Sequence, residues 1–249
     1  MARPPNAAFW INPYTRWVYD HPERLLPEPT PALLAAARSR AEARGRAETT
    51  AGLEIDLGCG SGNFLLQLAA RHPQRHFVGF ELRFKRLVKA ARKLERAGCA
   101  HVWLVREAAE RFGSYFETGS VDRIHVNFPD PWLRPSEWKK RLIGQRFLDE
   151  SSRVLKAGGE LRLKTDHAGY FLHVLAMFQG QPGWRLSEFA NDVHQGLPRV
   201  WQCHGDRPRD IEANLETEFE QLFRSQHKPV YFLSVKKVAA CGAGGLRAP

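Results

Sequence analysis

The sequence predicts an α/β protein built on a doubly wound, mostly parallel sheet with helices on both faces. Three observations carry that reading. From residue 53 onward, short apolar runs alternate with helix-patterned segments. The connections between them are a few residues long, and strand–helix alternation of this kind builds parallel sheets through crossover units. The first strand also runs directly into a glycine-rich turn that opens a helix, which is where doubly wound sheets hold ligands.

Taken in order, residues 1–30 are rich in proline and aromatics and read as an extended arm. "TPALLAAARSRAEARG" (30–45) has a candidate N-cap at Thr30, proline at the first helical position and a glycine stop, so it reads as a leading helix. "LEIDL" (53–57) is a buried strand and "NFLLQLAARH" (63–72) a helix. "HFVGF" (76–80) is the second strand, followed by a helix over 84–97. "HVWLV" (101–105) is the third, with a short helix over 107–117. "VDRIHVNF" (121–128) is the fourth, and "RFLDESSRVLKAGG" (146–159) a helix closed by glycines. "ELRLKT" (160–165) is the fifth strand, with a helix over 167–179. "WRLSEF" (184–189) and "VYFLSVKK" (230–237) read as two further strands around an insertion with a helix near 210–226. The domain division is therefore an arm and leading helix over 1–50, one catalytic-type domain over 51–238, and a frayed tail over 239–249.

Composition narrows the class. Hydrophobic residues make up 43% and charged residues 26% of 249, which is globular rather than disordered. The four cysteines, at 59, 99, 203 and 241, include no CxxC pair, so neither a disulfide framework nor a zinc cluster is expected, and a cytoplasmic setting fits. The histidines show no ligand spacing, and no apolar run reaches the ~18–20 residues a bilayer span requires. Lys and Arg number 37 against 27 acids, a net charge of +10, and the cations cluster. Such an excess favours a polyanionic partner. Residues 83–96 hold seven cations and one acid, and residues 134–146 five cations and one acid. Phosphate contact is expected for the second run; the first reads equally as a solvated face. No interface pattern distinguishes a monomer from a homodimer.

The turn "DLGCGSG" (56–62) places Asp56 ahead of Gly58, Gly60 and Gly62. A dinucleotide fingerprint would need glycine or alanine at 63, where Asn63 stands. An acid at the strand end repels a pyrophosphate but suits the ammonium of an amino-acid-like ligand. Glu81 closes the second strand just over twenty residues later, where a carboxylate can accept from both ribose hydroxyls. Glu107 follows the third strand, placed to reach an adenine edge. Any one such acid is more often a helix-dipole partner. Three acids at successive strand ends behind a glycine loop form the pattern of an S-adenosylmethionine site.

The ordered set "DLGCGSG…GFEL…REAAE…VNFPDPW…KKRL…TD…TEFE" resembles the bacterial tRNA (guanine-N7-)-methyltransferases, over roughly residues 53–237. The resemblance implies a seven-stranded Rossmann-like methyltransferase sheet, S-adenosylmethionine as donor, tRNA as substrate, and methylation of guanine 46 in its variable loop. It also implies that Asp56, Glu81, Glu107 and Asp130 contact the cofactor, with Asp130 catalytic as well. Arg134, Asp166 and the stretch from Thr217 to Glu220 match substrate-contacting positions. The chain departs from the family pattern at Arg134 (usually lysine), Glu137 (usually histidine), Leu222 (usually basic) and His227 (usually glycine).

At the end of the fourth strand, Pro129 and Pro131 fix φ and restrict the residues before them, so Asp130 is expected to be held rigidly. Guanine N7 carries a lone pair and no proton, so its methylation needs no general base and rests on alignment and electrostatics. Trp132 reads as packing ahead of base stacking. Asp166 serves equally as a helix cap, and Thr217 with Glu220 as a capping box. The rival readings are methylation of an exocyclic amine or of another RNA, an NAD-dependent dehydrogenase, and a non-catalytic tRNA-binding protein. The first prefers an Asn/Asp-Pro-Pro-aromatic loop, which Phe128 and Asp130 interrupt. The second fails at Asn63, and the third is disfavoured by the complete set of strand-end acids.

Overall fold

The computed structural model describes residues 13–21, 25–26, 52–194 and 215–238. Eight strands form one sheet, and the seven predicted from the sequence are all among them. In chain order the elements are α1 (Pro13–Asp20), β1 (Leu25–Leu26), β2 (Leu53–Leu57), α2 (Asn63–Arg71), β3 (His76–Phe80), α3 (Phe84–Arg96) and β4 (Val102–Val105). A 3-10 turn (Ala109–Tyr115) leads to β5 (Val121–Asn127), and another (Pro135–Lys140) to α4 (Gln145–Val154). β6 (Leu155–Thr165), α5 (Ala168–Gln179), β7 (Trp184–Ala190), α6 (Glu218–Ser225) and β8 (Tyr231–Lys237) complete it.

The strand order is β1-β4-β3-β2-β5-β6-β8-β7, and only β8 runs antiparallel to its neighbours. The order reverses between β2 and β5, so the carboxyl ends of these two strands open the crevice where ligands bind in such sheets.

Side-chain alternation explains the two faces. Odd positions of β2 (Leu53, Ile55, Leu57) join Ile124, Val126, Leu161 and Leu163 in one apolar cluster, covered by Phe147 of α4 and by Tyr170 and Phe178 of α5. On the other face, α2 and α3 bury Leu65, Leu68, Leu87, Ala90 and Leu94 against Phe77 and Leu104. A fully buried side chain of this kind contributes about 1.5–3 kcal/mol, so the helix stripes, rather than helix propensity, hold the layers.

The same second face carries charge at its centre. Glu54 is paired with Arg123 in register, and Arg123 with Glu160. Glu54 accepts from Arg75, from Arg123 at 3.3 Å and from His125 at 2.8 Å. Burial works against its ionisation, yet His125, Arg123 and Arg75 together hold its carboxyl well below the usual range. Glu160 is buried too, but Arg162 and Arg123 pull it down to about 2. Alternate positions of "LEIDL" thus face a core on one side and an ion-pair ladder on the other.

Three expectations are corrected. The arm is not extended throughout: α1 packs on α3, with Arg92 lying 5.4 Å over the Trp17 ring, and β1 pairs with β4. The Trp17 and His21 rings, four residues apart, stack at 4.2 Å at the end of α1. The helix expected to run to residue 159 ends at Val154, because β6 begins at Leu155 and pairs with Val121 before the ladder shifts register. The helix expected near 107–117 is a 3-10 turn over Ala109–Tyr115. The leading helix at 30–45, most of the insertion and the tail at 239–249 lie outside the described residues.

Candidate functional site

The glycine turn is pinned to the neighbouring strand: the amides of Gly58 and Cys59 both donate to the Phe80 carbonyl at 2.9 Å. Gly62 has φ 80°, and a Cβ there would stand 2.8 Å from the Cβ of Ala90 on α3. Both the left-handed backbone and the close helix contact therefore require glycine. The turn opens a cavity of about 450 Å³ lined by Asp56, Gly58, Gly60, Glu81, Asp130 and Thr217, among others. That volume lies within the range of small-molecule sites.

Asp56 is 1% exposed, and among the described residues its carboxylate has no cationic partner. Asn127 on β5 donates to it at 3.3 Å. Burial, with Glu81 adding to it and Asn127 opposing, pushes its pKa up to about 7. A buried acid raised by desolvation and a neighbouring carboxylate is a pattern met more often at functional sites than elsewhere. Glu81 caps the start of the α3 segment by accepting from the Arg83 amide at 2.7 Å.

Asp130 stands exposed on the cavity rim. Its loop is strained: Phe128 has φ 51° and Trp132 φ 44°, both in the left-handed region, where non-glycine residues are uncommon and cost about 1–2 kcal/mol each. The surroundings hold it there. The Phe128 amide donates to the Lys164 carbonyl at 2.8 Å, the Phe128 ring packs 5.3 Å from Phe223, and Arg141 Nε donates to the Pro131 carbonyl at 2.8 Å. Trp132 lines the cavity with Lys140 Nζ 4.5 Å over its ring.

The far wall comes from the start of α6. Thr217 Oγ1 accepts from the Glu220 amide at 3.0 Å and the Thr217 amide donates to the Glu220 carboxylate, completing the capping box. Glu218 reaches the glycine turn: a hydrogen bond from Ser61, then Lys93 at 3.2 Å, lower its carboxyl pKa. Phe219 lines the cavity with the Arg86 guanidinium 5.3 Å over its ring.

Four of the expected residues do not line this cavity. Glu107 turns away: its carboxylate accepts from the Ala108 amide at 2.8 Å and from the Tyr115 hydroxyl at 2.9 Å. Burial and this acid push Tyr115 up to about 12. Glu220 has no exposed surface and binds Lys164 Nζ at 3.0 Å and His194 at 2.9 Å. Its carboxylate is thus engaged by partners within the protein. Arg134 is exposed beyond the loop. Asp166 follows β6, and the helix cap there is His167, whose ring accepts from the Tyr170 amide at 3.0 Å. Conversely, Asn127 and Arg86 were not singled out as site residues, whereas Glu218 and Phe219 lie within the expected stretch Thr217 to Glu220. The i,i+1,i+2 run Thr217–Phe219 at a capping-box start was the available signal.

A family described as "Putative methyltransferase" matches residues 50–233. The chain belongs to that family. Among curated relatives, the tRNA (guanine-N(7)-)-methyltransferase of Limosilactobacillus fermentum is 33% identical over 181 residues, covering 73% of this chain and 78% of the relative. The bifunctional glycosyltransferase/methyltransferase of Fusobacterium nucleatum is 33% identical over 187 residues, but the chain spans only 27% of that protein. Among solved structures, the 16S rRNA methyltransferase KamB superposes with TM-score 0.53 at 16% identity, covering 80% of this chain and 93% of that one. TrmN from Thermus thermophilus gives TM-score 0.51 at 20% identity, covering 84% and 49%. At these identities the two structures share the methyltransferase fold alone. In this methyltransferase the cavity therefore opens at the carboxyl edge of β2, β3 and β5, against the sheet reversal.

Proposed function

We propose that the protein transfers a methyl group from S-adenosylmethionine to N7 of guanine 46 in the variable loop of tRNA. The observation that carries the reading is Asp130, an acid on a strained, proline-flanked loop at the rim of the cavity that holds Asp56 and Glu81. Relatives at 33% identity bearing the name tRNA (guanine-N(7)-)-methyltransferase support the substrate, as does the chain's charge of +10.

The residues present fit the cofactor. Asp56 offers an unpaired buried acid to an ammonium, the glycine turn lets a ligand approach the backbone, and Glu81 suits ribose hydroxyls. When bound, S-adenosylmethionine supplies an electrophilic methyl on a sulfonium. Guanine N7 carries a lone pair and no proton, so accepting that methyl would require no general base from this chain. Asp130 orients donors on the guanine and offsets the positive charge that the ring acquires, an electrostatic role that is strongest when the group is already fixed. Lys139, Lys140 and Arg146 meet phosphates, and the reaction belongs in the cytoplasm with its tRNA. Incubating the protein with unmodified tRNA transcript and methyl-labelled S-adenosylmethionine, then identifying the labelled nucleoside, tests this reading: 7-methylguanosine supports it, and label on an exocyclic amine replaces it.

A further inference from the structure

The 3-10 turn Pro135–Lys140 presents an exposed tryptophan whose exposure the methyl-transfer chemistry leaves unexplained. Trp138 is 47% exposed, and Leu133 nearby is 66% exposed. One face of the indole is already occupied, since the Arg141 guanidinium lies 4.6 Å over it. That guanidinium also lies 5.2 Å over the Tyr170 ring, and its Nε bonds the Pro131 carbonyl. The His173 ring stands 6.2 Å away. Arg141 thus ties the indole to the loop that carries Asp130, and a fixed ring loses little side-chain entropy on binding a ligand.

The surroundings select the ligand. Arg134 and Lys139 are exposed on the same turn, with no side-chain partner among the described residues. The only acid on the turn, Glu137, is engaged by Lys140 at 3.1 Å. An exposed aromatic face set among cations suits a flat ring attached to a polyanion. It suits an apolar peptide poorly, because the cations would have to be desolvated. Single-stranded nucleic acids bind by this combination of stacking and phosphate attraction.

We propose that Trp138 is a stacking platform for an unpaired base of the RNA substrate next to the guanine being methylated. The proposal rests on the RNA reading above. The platform holds the strand at the cavity rim, while Arg134 and Lys139 neutralise its phosphates. It acts on RNA affinity and not on the methyl transfer itself.

Trp138→Ala and Trp138→Phe test this, with tRNA affinity, KM for tRNA, kcat, cofactor affinity and melting temperature measured for each. Stacking contributions of the usual size predict that Trp138→Ala weakens tRNA binding and raises KM on the order of tenfold. Trp138→Phe stays within about threefold of wild type, because phenylalanine keeps a π-face. Cofactor affinity and melting temperature stay unchanged in both. Wild-type tRNA affinity in Trp138→Ala, or equal losses in Trp138→Ala and Trp138→Phe, overturns the platform while leaving the enzyme reading intact. A wild-type protein that neither binds nor methylates tRNA overturns both.

Discussion

Glu54 and Asp56 stand two residues apart on the same face of β2, and among the described residues only Glu54 is paired with arginines. Arg75 and Arg123 pair with it and His125 hydrogen-bonds it, whereas among the described residues Asp56 meets Asn127 and the like charge of Glu81. The strand therefore carries one acid held ionised by its partners and one that burial raises.

This contrast has a pH signature. The Asp56 carboxyl is raised from an ordinary 3.8 to about 7, so the folded state holds its proton more tightly than the unfolded chain does. The stability this lends is complete below about pH 4 and is lost as pH rises through 7. A cationic ligand favours the ionised form, so cofactor binding releases a proton below pH 7 and tightens roughly tenfold per unit up to that point. Urea unfolding of the free protein between pH 5 and 8 should show a steeper loss in wild type than in Asp56→Asn. Equal slopes would remove Asp56 from the account.

Gly62→Ala meets both a left-handed φ of 80° and the Ala90 Cβ at 2.8 Å. Neither neighbour is a flexible side-chain end. The strain and the overpacking together predict a loss of about 2–4 kcal/mol, measurable by chemical unfolding, with weakened cofactor binding because α2 and the glycine turn move.

His227 stands just past Gln226, the C-cap of α6, with φ 54°. The His227 amide donates to the Arg224 carbonyl and the Lys228 amide to the Phe223 carbonyl, both at 3.0 Å, which is the hydrogen-bond pattern of a glycine helix stop. The glycine expected there from the family resemblance thus has a physical reason. His227→Gly relieves the strain at a smaller cost in unfolded-chain entropy, a net gain of roughly 0.5–1 kcal/mol. A rise of a few degrees in melting temperature checks it.

Glu220→Ala takes from the buried Lys164 Nζ the carboxylate whose two oxygens each accept from it at 3.0 Å. The expected cost is about 3–5 kcal/mol, with loss of activity because α6 carries Thr217 and Phe219 to the cavity. If Glu220→Ala keeps wild-type stability and loses only tRNA affinity, Glu220 contacts substrate directly.

These cases show what the sequence carried. The strand–helix alternation and "DLGCGSG" were legible because periodicity and glycine have local physical meaning, and all seven expected strands are present. Asp56, Glu81 and Asp130 followed from strand ends, which topology brings to one edge. Glu107 and Glu220 were not separable from their neighbours, because whether a carboxylate faces a cavity or turns to Tyr115 or Lys164 is decided by tertiary packing. Arg86 was hidden for the same reason: it meets Phe219 across α3 and α6, far apart in the chain.

The central claim is that Asp130, on its strained loop, serves methyl transfer to guanine N7. The most direct measurement compares wild type and Asp130→Ala for 7-methylguanosine formed on tRNA transcript from labelled S-adenosylmethionine, with cofactor affinity measured in parallel. The account predicts 7-methylguanosine at the variable-loop guanine for wild type and a fall of at least a hundredfold in kcat for Asp130→Ala, about 2.7 kcal/mol of transition-state stabilisation. A wild-type rate in Asp130→Ala, or label at any other atom, would contradict it.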